Sequence, residues 1–397
     1  MTDNNEKVIP NVDSKSKEER NVPDLRFDNF TDVWALKRIN EICEVNPKTK
    51  SLPEVFNYID LESVKNGELI KNNTINIKNA PSRAQRLLKK GDILFSCVRP
   101  YQHNNYIYSD DVISVASTGF ACLRTEISSD FLYEVINTNN FENKVMEKCT
   151  GTSYPAINSN DLGNIKVYIP SVYEELKIGN FMSLINNRIL TQKKIIEDYK
   201  ALKKQIINTI YDNNSYNSKL SNLIIQVSKR NKNSINNNVL SVSNKYGFIK
   251  QSEQFEDREV ASDDISNYKI ISKDIFAYNP ARINVGSIAK YNNEDEGIVS
   301  PMYICFETND TLLPEYLNYY FDSNEFKYQM SKRLEGSVRQ CLTFESLENI
   351  PFNLPTMIEQ KKNADIISTF NKKISFEEKY LRTLEFQKYY LLNKMFI

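Results

Sequence analysis

The chain has 397 residues, enough for two or three domains of ordinary size, and 40% of them are hydrophobic, so sizeable cores can form. Lysine plus arginine equals aspartate plus glutamate at 51 each, so net charge alone provides no argument for nucleic-acid binding. The single histidine, His103, excludes most metal sites and histidine-based acid–base schemes. Six cysteines without a CxxC spacing predict unpaired thiols in a cytoplasmic protein.

The N-terminal sequence MTDNNEKVIPNVDSKSKEER is polar and charged, without the apolar core of a signal peptide. It predicts a disordered arm over residues 1–21. No run of 18 apolar residues occurs in the chain, so the sequence predicts no membrane span.

Residues 22–170 have the pattern of a mixed α and β domain. GDILFSCVRP, which follows a glycine turn, and DVISVASTGFACLRT predict strands. DFLYEVINTNNFENKVMEK predicts a helix, and NIKVYIP predicts a short closing strand.

Residues 171–211 predict a long helix. Pro170 precedes it, and Glu174 and Glu175 suit the dipole of its first turn. Arg188 and Gln192 interrupt its apolar seam. The residues predicted to form that seam are Ile178, Phe181, Ile185, Ile195, Tyr199, Leu202 and Ile206.

The same order of elements recurs in residues 212–355, a second mixed domain, and residues 356–397, a second long helix. KDIFAYNPARINVGSIAK and GIVSPMYICFET predict strands, and PEYLNYYFDSNEFKYQMSKR predicts a helix. Lys373 and Glu377 interrupt the second seam. Its predicted members are Ile366, Phe370, Tyr380, Leu384 and Leu391.

The two halves are a faint internal repeat. With an offset of 185 residues, no gap is needed from Leu132 to Asn208, and the matches include Phe141 with Phe326, Gly151 with Gly336, Pro170 with Pro355 and Asn186 with Asn371. Earlier in each half the offset drifts, so that Asp92 matches Asp274 and Ile39 matches Leu223. Loops of variable length on a constant framework would produce this drift.

Each apolar seam needs a partner, and the other helix is the economical one. The sequence therefore predicts an α+β fold with two tandem, similar α/β domains, separated by two long antiparallel coiled-coil helices with pseudo-twofold symmetry. The alternative is that each helix packs only on its own globular half. Residues 174–210 would span roughly 55 Å as a helix, on the order of 16 base pairs of duplex.

Motifs for chemistry on DNA are missing. A methyltransferase loop of the form Asn/Asp-Pro-Pro-aromatic has its nearest match in Tyr278-Asn279-Pro280-Ala281, which lacks the second proline and the aromatic residue. The sequence contains no phosphate-binding GxxxxGK[ST] loop. Asp110-Asp111 and Asp263-Asp264 fit solvated turns better than a nuclease metal site. We therefore expect no catalytic residues and no metal ligands in this chain.

Exposed loops with amide, guanidinium and aromatic groups suit contacts with bases, and lysines suit contacts with phosphates. The DNA-binding candidates in the first half are Arg83, Arg86, Lys89, Lys90, Arg99, Tyr101, Gln102, His103, Asn104, Asn105, Thr152, Ser153 and Tyr154. Those in the second half are Arg282, Asn284, Arg333, Ser337, Arg339 and Gln340. For each of them, the alternative is an ordinary solvated loop side chain.

Several segments resemble one family in order and placement. VPDLRFDNFTDVWALKRINEI resembles the start of many specificity subunits of Type I restriction–modification systems, and GDILFSCVRPY with SVASTGFACL resembles the core of their recognition domains. TGTSYPAINSNDLGNIKVYIPSVYEELKIGNFMSLINNRILTQKKIIEDYKALKKQIINTIY resembles their central helical region. In the second half, SVSNKYGFIKQ and SVRQCLTFESLENIPFNLPTMIEQKK are also similar to the family, so the resemblance covers roughly residues 22–397.

The resemblance implies a non-catalytic, cytoplasmic subunit that binds double-stranded DNA, each recognition domain contacting one half of a bipartite site. It also implies two modification subunits, which carry S-adenosylmethionine and methylate adenine, and restriction subunits that use ATP and Mg²⁺. The helices would set the spacer and bind the modification subunits. Two alternatives remain open: a coiled-coil adaptor without base recognition, and a diverged enzyme acting on its own.

Overall fold

The computed structural model describes residues 21–212, 215–232, 234–251, 264–336 and 340–397. The predicted arm, except Asn21, lies outside these residues. The chain forms two compact units. Unit 1 comprises the described residues up to Gln192 together with Tyr380–Ile397, and unit 2 is Lys193–Lys379. No helix in the described ranges combines the length and apolarity needed to cross a membrane.

Unit 1 is built on two four-stranded sheets. Its strands are β1 (Ala35–Arg38), β2 (Glu44–Val45), β3 (Val55–Ile59), β4 (Val64–Lys65), β5 (Glu68–Leu69), β6 (Asn73–Asn76), β7 (Ala84–Leu87), β8 (Ile93–Ser96), β9 (Tyr106–Ile107), β10 (Ser114–Ser117), β11 (Phe120–Arg124) and β12 (Lys166–Ile169). The strand orders in the two sheets are β6-β3-β10-β7 and β2-β11-β8-β9. Its short helices are Ile39–Ile42, Ser129–Ile136, Asn139–Met146 and Ser159–Gly163.

Local sequence explains these elements. Strand β8 has the sequence Ile-Leu-Phe-Ser, and its apolar run up to Ser96 suits a strand in which all four residues are buried. The side chains of Ser128, Thr138 and Asn158 each accept a backbone N–H at the start of a helix, where the first amides have no helical partner. β1 pairs with β12, which joins the beginning of the unit to the strand that precedes the first long helix.

Unit 2 repeats the topology of two four-stranded sheets. Its strands are β13 (Ser218–Lys219), β14 (Ile224–Val227), β15 (Val239–Ser243), β16 (Gly247–Lys250), β17 (Lys269–Ile271), β18 (Phe276–Tyr278), β19 (Ile288–Lys290), β20 (Gly297–Val299), β21 (Ile304–Thr308) and β22 (Pro351–Phe352). The strand orders in the two sheets are β16-β15-β20-β17 and β14-β21-β18-β19. Its short helices are Pro314–Tyr320, Asn324–Ser331 and Phe344–Glu348. The first sheet of each unit contains one parallel pair, β3–β10 or β15–β20, so the duplication extends to strand direction.

Backbone hydrogen bonds correct two of the matches predicted for the repeat. Ile39 donates its N–H to Ile165, and Leu220 donates its N–H to Ile350, so Ile39 corresponds to Leu220 and not to Leu223. The N–H of Gly91 bonds to Tyr108 and that of Asp274 bonds to Tyr291, each at 2.8 Å and each from a residue with positive φ. The match of Asp92 with Asp274 was therefore wrong by one residue, because an aspartate occupies the left-handed position of a glycine.

Two long helices follow the globular regions: the central helix, Val172–Tyr211, and the C-terminal helix, Met357–Met395. In unit 1 the N-terminal part of the central helix runs antiparallel to the end of the C-terminal helix, since Arg188 hydrogen-bonds to Tyr380 while Met182 shares a core with Met395. In unit 2 the pairing is also antiparallel: Lys200 lies 2.6 Å from Glu378, and Ile207 shares a core with Ile367. These contacts confirm the predicted antiparallel pairing within each unit.

The same helices also pack on the globular regions, and not only on their own halves as the alternative had required. Asn186 donates to Glu134 at 2.6 Å, and the Lys388 ammonium lies 3.3 Å from the other carboxylate oxygen of Glu134. In unit 2, Asn371 corresponds to Asn186 and contacts the hydroxyl of Tyr319, which corresponds to Glu134. The 185-residue offset therefore holds for tertiary contacts.

The seam lies one residue away from several predicted positions. On the central helix Met182, Ile196 and Ile207 are buried, whereas the predicted Phe181, Ile195 and Ile206 are only half-buried. Leu202 was wrong, since it is 44% exposed. Ile178 is buried as predicted, and Ile185 and Tyr199 are half-buried.

The C-terminal helix has the same shift. Ile367 is fully buried, whereas the predicted Ile366 is 37% exposed. Leu384 is buried as predicted, and Phe370, Tyr380 and Leu391 are half-buried. Of the four polar residues predicted to interrupt the seams, Gln192 and Glu377 are buried, whereas Arg188 and Lys373 are exposed. Neighbouring apolar residues, such as Ile366 and Ile367, allow two frames in the sequence, and packing selects one of them.

We expect Ile367→Ala to lower the free energy of unfolding by about 2–5 kcal/mol, because it leaves a cavity in the core of unit 2. Ile366→Ala removes the same atoms from a partly exposed face and should cost less than about 1 kcal/mol. Urea denaturation of both variants measures the difference. Equal losses would contradict the assigned frame.

Glu175 and Gln360 occupy matching positions in the first turns of the two long helices. Gln360 accepts the N–H of Leu313 at 2.8 Å and donates its amide to the carbonyls of Thr311 and Pro355, both at 3.0 Å. Glu175 is 5% exposed, and its burial raises its pKa to about 7, against the lowering effects of the Ser128 N–H and the Lys37 charge.

Because the pKa of Glu175 in the folded protein lies above that of an unfolded glutamate, its ionisation destabilises the fold. The penalty is absent below about pH 4 and grows as pH rises through about 7. Glu175→Gln should therefore raise the free energy of unfolding by about 1–3 kcal/mol at pH 8 and by much less at pH 5. Thermal unfolding at both pH values tests this, with Gln360→Glu expected to introduce the same pH dependence in unit 2. A pH profile unaltered by Glu175→Gln would refute the assignment.

Candidate nucleic-acid interface

Two of the loops predicted to contact DNA lie side by side in unit 1. Residues 97–105, the Arg99 loop, follow strand β8, and residues 150–156 form the Tyr154 loop. Val98 forms a β-bridge with Ala156, and the N–H of Arg99 donates to Pro155 at 2.8 Å. Thr150 also pairs with Ala156 and closes the Tyr154 loop, whose Thr152, Ser153 and Tyr154 are exposed.

Arg99 combines three unusual features. Its backbone is left-handed, with φ 51° and ψ 54°, a conformation that costs free energy for a residue with a side chain. Its guanidinium carbon lies 4.2 Å from the centre of the Tyr154 ring, within cation–π distance. Its Nε is buried and has no hydrogen-bond partner among the described residues.

The rest of the Arg99 loop presents polar side chains in several ways. Tyr101 and Gln102 are exposed. His103 is also left-handed, with φ 49°, and its Nε2 lies 2.8 Å from a carboxylate oxygen of Glu142. The half-buried Asn104 accepts the N–H of Asn66 at 3.2 Å, so part of its side chain already has a partner within the protein.

Asn105 was predicted as a DNA contact, but the structure places it in the interior, 1% exposed. Its Oδ1 accepts the N–H of Ser96, and its Nδ2 donates to Asn137, both at 3.0 Å. The hydroxyl of Tyr133 donates to its carbonyl at 3.3 Å. Asn105 thus fixes the end of the Arg99 loop against the strand and helix beneath it. A polar residue between an exposed loop and strand β9 gives no sequence signal for this role.

The predicted basic cluster divides between surface and interior. Arg83, Lys89 and Lys90 are exposed, and Lys90 forms an exposed ion pair with Asp111 at 3.1 Å. Arg86 lies on β7, half-buried, with its Nε buried and without a hydrogen-bond partner among the described residues. Burial raises the pKa of Cys97 to about 11, while the charge of the Arg86 guanidinium lowers it.

Unit 2 has matching loops with different side chains. Arg282 is exposed and corresponds to Arg99, but its φ of −134° is not left-handed. Asn284 is exposed in the 3-10 turn Ile283–Val285. The bridge between Glu335 and Cys341 corresponds to the one that closes the Tyr154 loop.

Among the remaining candidates of unit 2, Gln340 is exposed. Arg333 is half-buried and donates to the side chain of Gln329 at 2.7 Å, so the protein itself already uses part of its guanidinium. Ser337 and Arg339 lie outside the described residues.

Sequence reasoning missed the hairpin formed by β4 and β5. Its turn, Asn66-Gly67, lies against the Arg99 loop through the bond from Asn66 to Asn104. Asn-Gly flanked by Val64-Lys65 and Glu68-Leu69, in which apolar and charged residues alternate, is a hairpin signal and could have identified it. Gly67 has a φ of 79°, which favours glycine, and a Cβ added there would lie 2.8 Å from the hydroxyl of Tyr133.

Comparison with known proteins supports the duplication. The sequence profile described as "Type I restriction modification DNA specificity domain" matches twice, over residues 31–201 and 203–385. Because these matches cover most of the sequence, the chain belongs to this family.

Two curated relatives match one region each. The specificity subunit of Type I restriction enzyme HindI from Haemophilus influenzae is 22% identical over 38% of the chain and 34% of the relative. The putative Type I restriction enzyme MjaX specificity subunit from Methanocaldococcus jannaschii is 26% identical over 35% of the chain and 33% of the relative. The chain thus spans about a third of the length of each.

Solved structures share the fold over nearly the whole length. The S subunit of a Type I restriction–modification system from M. genitalium superposes with a TM-score of 0.57 at 15% identity, covering 95% of this chain and 99% of that one. A chain from a study of complex assembly and conformational transition of the type I R-M system gives a TM-score of 0.55 at 19% identity, covering 91% and 97%. At these identities the likeness concerns the fold alone.

We expect Asn105→Ala to lower the free energy of unfolding by about 1–3 kcal/mol, because the buried N–H of Ser96 loses its acceptor and the side-chain oxygen of Asn137 loses its donor. Asn104→Ala is the matched control and should cost less than about 1 kcal/mol, since Asn104 is only half-buried. Thermal unfolding of both variants decides the matter. A larger loss of stability for Asn104→Ala than for Asn105→Ala would contradict the role of Asn105 in fixing the end of the Arg99 loop.

Proposed function

We propose that this chain recognises a bipartite site in double-stranded DNA as the specificity subunit of a Type I restriction–modification complex, without catalytic activity of its own. The duplication carries the proposal: two matches to a DNA specificity domain accompany two units with the same strand order. Two copies of one recognition domain suit a site with two separate halves.

In each unit, the surface that we assign to DNA consists of matching loops. In unit 1 these are the Arg99 loop and the Tyr154 loop, with the exposed Arg83, Lys89 and Lys90 supplying positive charge for phosphates. In unit 2 the proposed contacts are Arg282, Asn284 and Gln340, with Ser337 and Arg339. Because the loops differ while the framework is kept, the two halves of the site would differ in sequence.

The long helices are the proposed binding surface for partner subunits and the element that sets the spacer. Exposed apolar side chains support this role, among them Tyr173 and Ile358, which occupy matching positions and are each 82% exposed. We propose one modification subunit for each repeat, two in all, carrying S-adenosylmethionine, with ATP- and Mg²⁺-dependent restriction subunits joining that core. The complex would act in the cytoplasm.

An exchange of recognition domains tests the proposal. Replacing residues 31–170 with the corresponding region of another such subunit should alter one half of the recognised site, since each unit is proposed to contact one half. The measurement is the methylated motif in cells that express the chimera with the modification subunits. A motif altered in both halves would contradict the proposal that each unit contacts one half of the site. Salt-dependent DNA affinity that is absent even with modification subunits would instead favour an adaptor without base recognition.

A further inference from the structure

We propose that Arg99 recognises a guanine in the half-site bound by unit 1, and that Tyr154 is the positioning residue that fixes the plane of its guanidinium group. This inference rests on the proposed function and names one base contact within it. It is carried by the backbone conformation of Arg99, by its surroundings and by the stacking of the two side chains.

Arg99 differs from the arginines that stabilise the fold. Arg124 is bound by both oxygens of the buried Asp92, at 2.6 and 2.7 Å, and Arg26 is bound by both oxygens of Glu174. Arg99 has no ion-pair partner in the described part of the chain, although its Nε is buried. Because no carboxylate of the described residues neutralises it, the guanidinium charge remains available to a ligand that carries acceptors.

The neighbouring ring explains which acceptor fits. The centre of the exposed Tyr154 ring lies 4.2 Å from the guanidinium carbon, so a cation–π contact covers one side of the guanidinium group and restricts its orientation. Nε is buried, which leaves the two terminal nitrogens, Nη1 and Nη2, as donors. A fixed pair of donors matches the O6 and N7 acceptors of guanine in the major groove. A phosphate would also accept these bonds but would not require a fixed plane.

The surrounding loops hold this arrangement in place before DNA arrives. The N–H of Arg99 is bonded to Pro155, next to Tyr154, so the two residues are connected through the main chain as well as by stacking. Asn105 holds the other end of the loop by its bonds to Ser96 and Asn137. A side chain held in its binding geometry loses little conformational entropy on binding and discriminates better between bases.

The test uses the full chain assembled with its modification subunits and a duplex carrying the motif that the complex methylates in cells. Each base pair of the two half-sites is replaced in turn, and affinity is measured by fluorescence anisotropy. The variants are Arg99→Gly, Tyr154→Ala and Tyr154→Phe. Glycine accepts the left-handed backbone of Arg99 without strain, so that variant removes the contact and keeps the fold.

We expect the wild type to prefer guanine at one position of the half-site of unit 1 by about tenfold to a hundredfold. Arg99→Gly should abolish that preference, Tyr154→Ala should reduce it several-fold, and Tyr154→Phe, which keeps the ring, should retain it. Preferences within the other half-site should be unchanged in all three variants, which also reports that they are folded.

Three results would overturn the inference. The first is that all three variants retain every base preference of the wild type. The second is a loss of affinity that is equal for all sequences and accompanied by a weaker dependence on salt, which would identify a phosphate contact. The third is that Tyr154→Phe is as damaging as Tyr154→Ala, because the hydroxyl and not the stacked ring would then be responsible. A wild-type complex without any base preference would contradict the proposed function itself.

Discussion

The structure depends on covering the apolar faces of two long helices. In proteins, most of the stability of an amphipathic helix comes from burying its apolar face, and the central helix alone has 40 residues. In unit 1, Ile178 and Met182 are buried with the end of the C-terminal helix and with the globular core. In unit 2, Ile207 near the end of the central helix and Ile367 near the start of the C-terminal helix are buried together in the globular core. Each globular region therefore covers part of both helices. This is why the boundaries between the compact units fall within the helices, after Gln192 and after Lys379.

Because the chain is duplicated, the two units can be compared to separate shared structural features from those found in one unit only. Strand orders, the bridge that closes the Tyr154 loop and the asparagine contacts of the helices are the same in both units. What differs is the chemistry placed on this framework: an arginine held left-handed in unit 1 is not left-handed in unit 2, and a buried carboxyl at Glu175 is an amide at Gln360. A shared framework with different loop side chains is what the proposed recognition of two different half-sites requires.

The sequence was sufficient for the architecture and less so for the details. Periodicity, the two prolines and the 185-residue offset predicted both helices and the repeat, because these features act over many residues. The seam was assigned to Ile366 instead of Ile367, since two adjacent isoleucines fit the pattern equally well and only packing distinguishes them. Asn105 was placed on the surface because its residue type suits base recognition, whereas its amide bonds within the fold. The stacking of Arg99 on Tyr154 joins residues 55 positions apart and could not be deduced from either loop.

The central claim is that this chain directs methylation to one bipartite DNA motif. It is tested most directly by comparing genome-wide adenine methylation in host cells with and without this gene, the modification subunits being expressed in both. The account predicts that one motif, made of two short specific parts with a fixed spacer, loses its methylation when the gene is removed. An identical methylation pattern in both strains would contradict it.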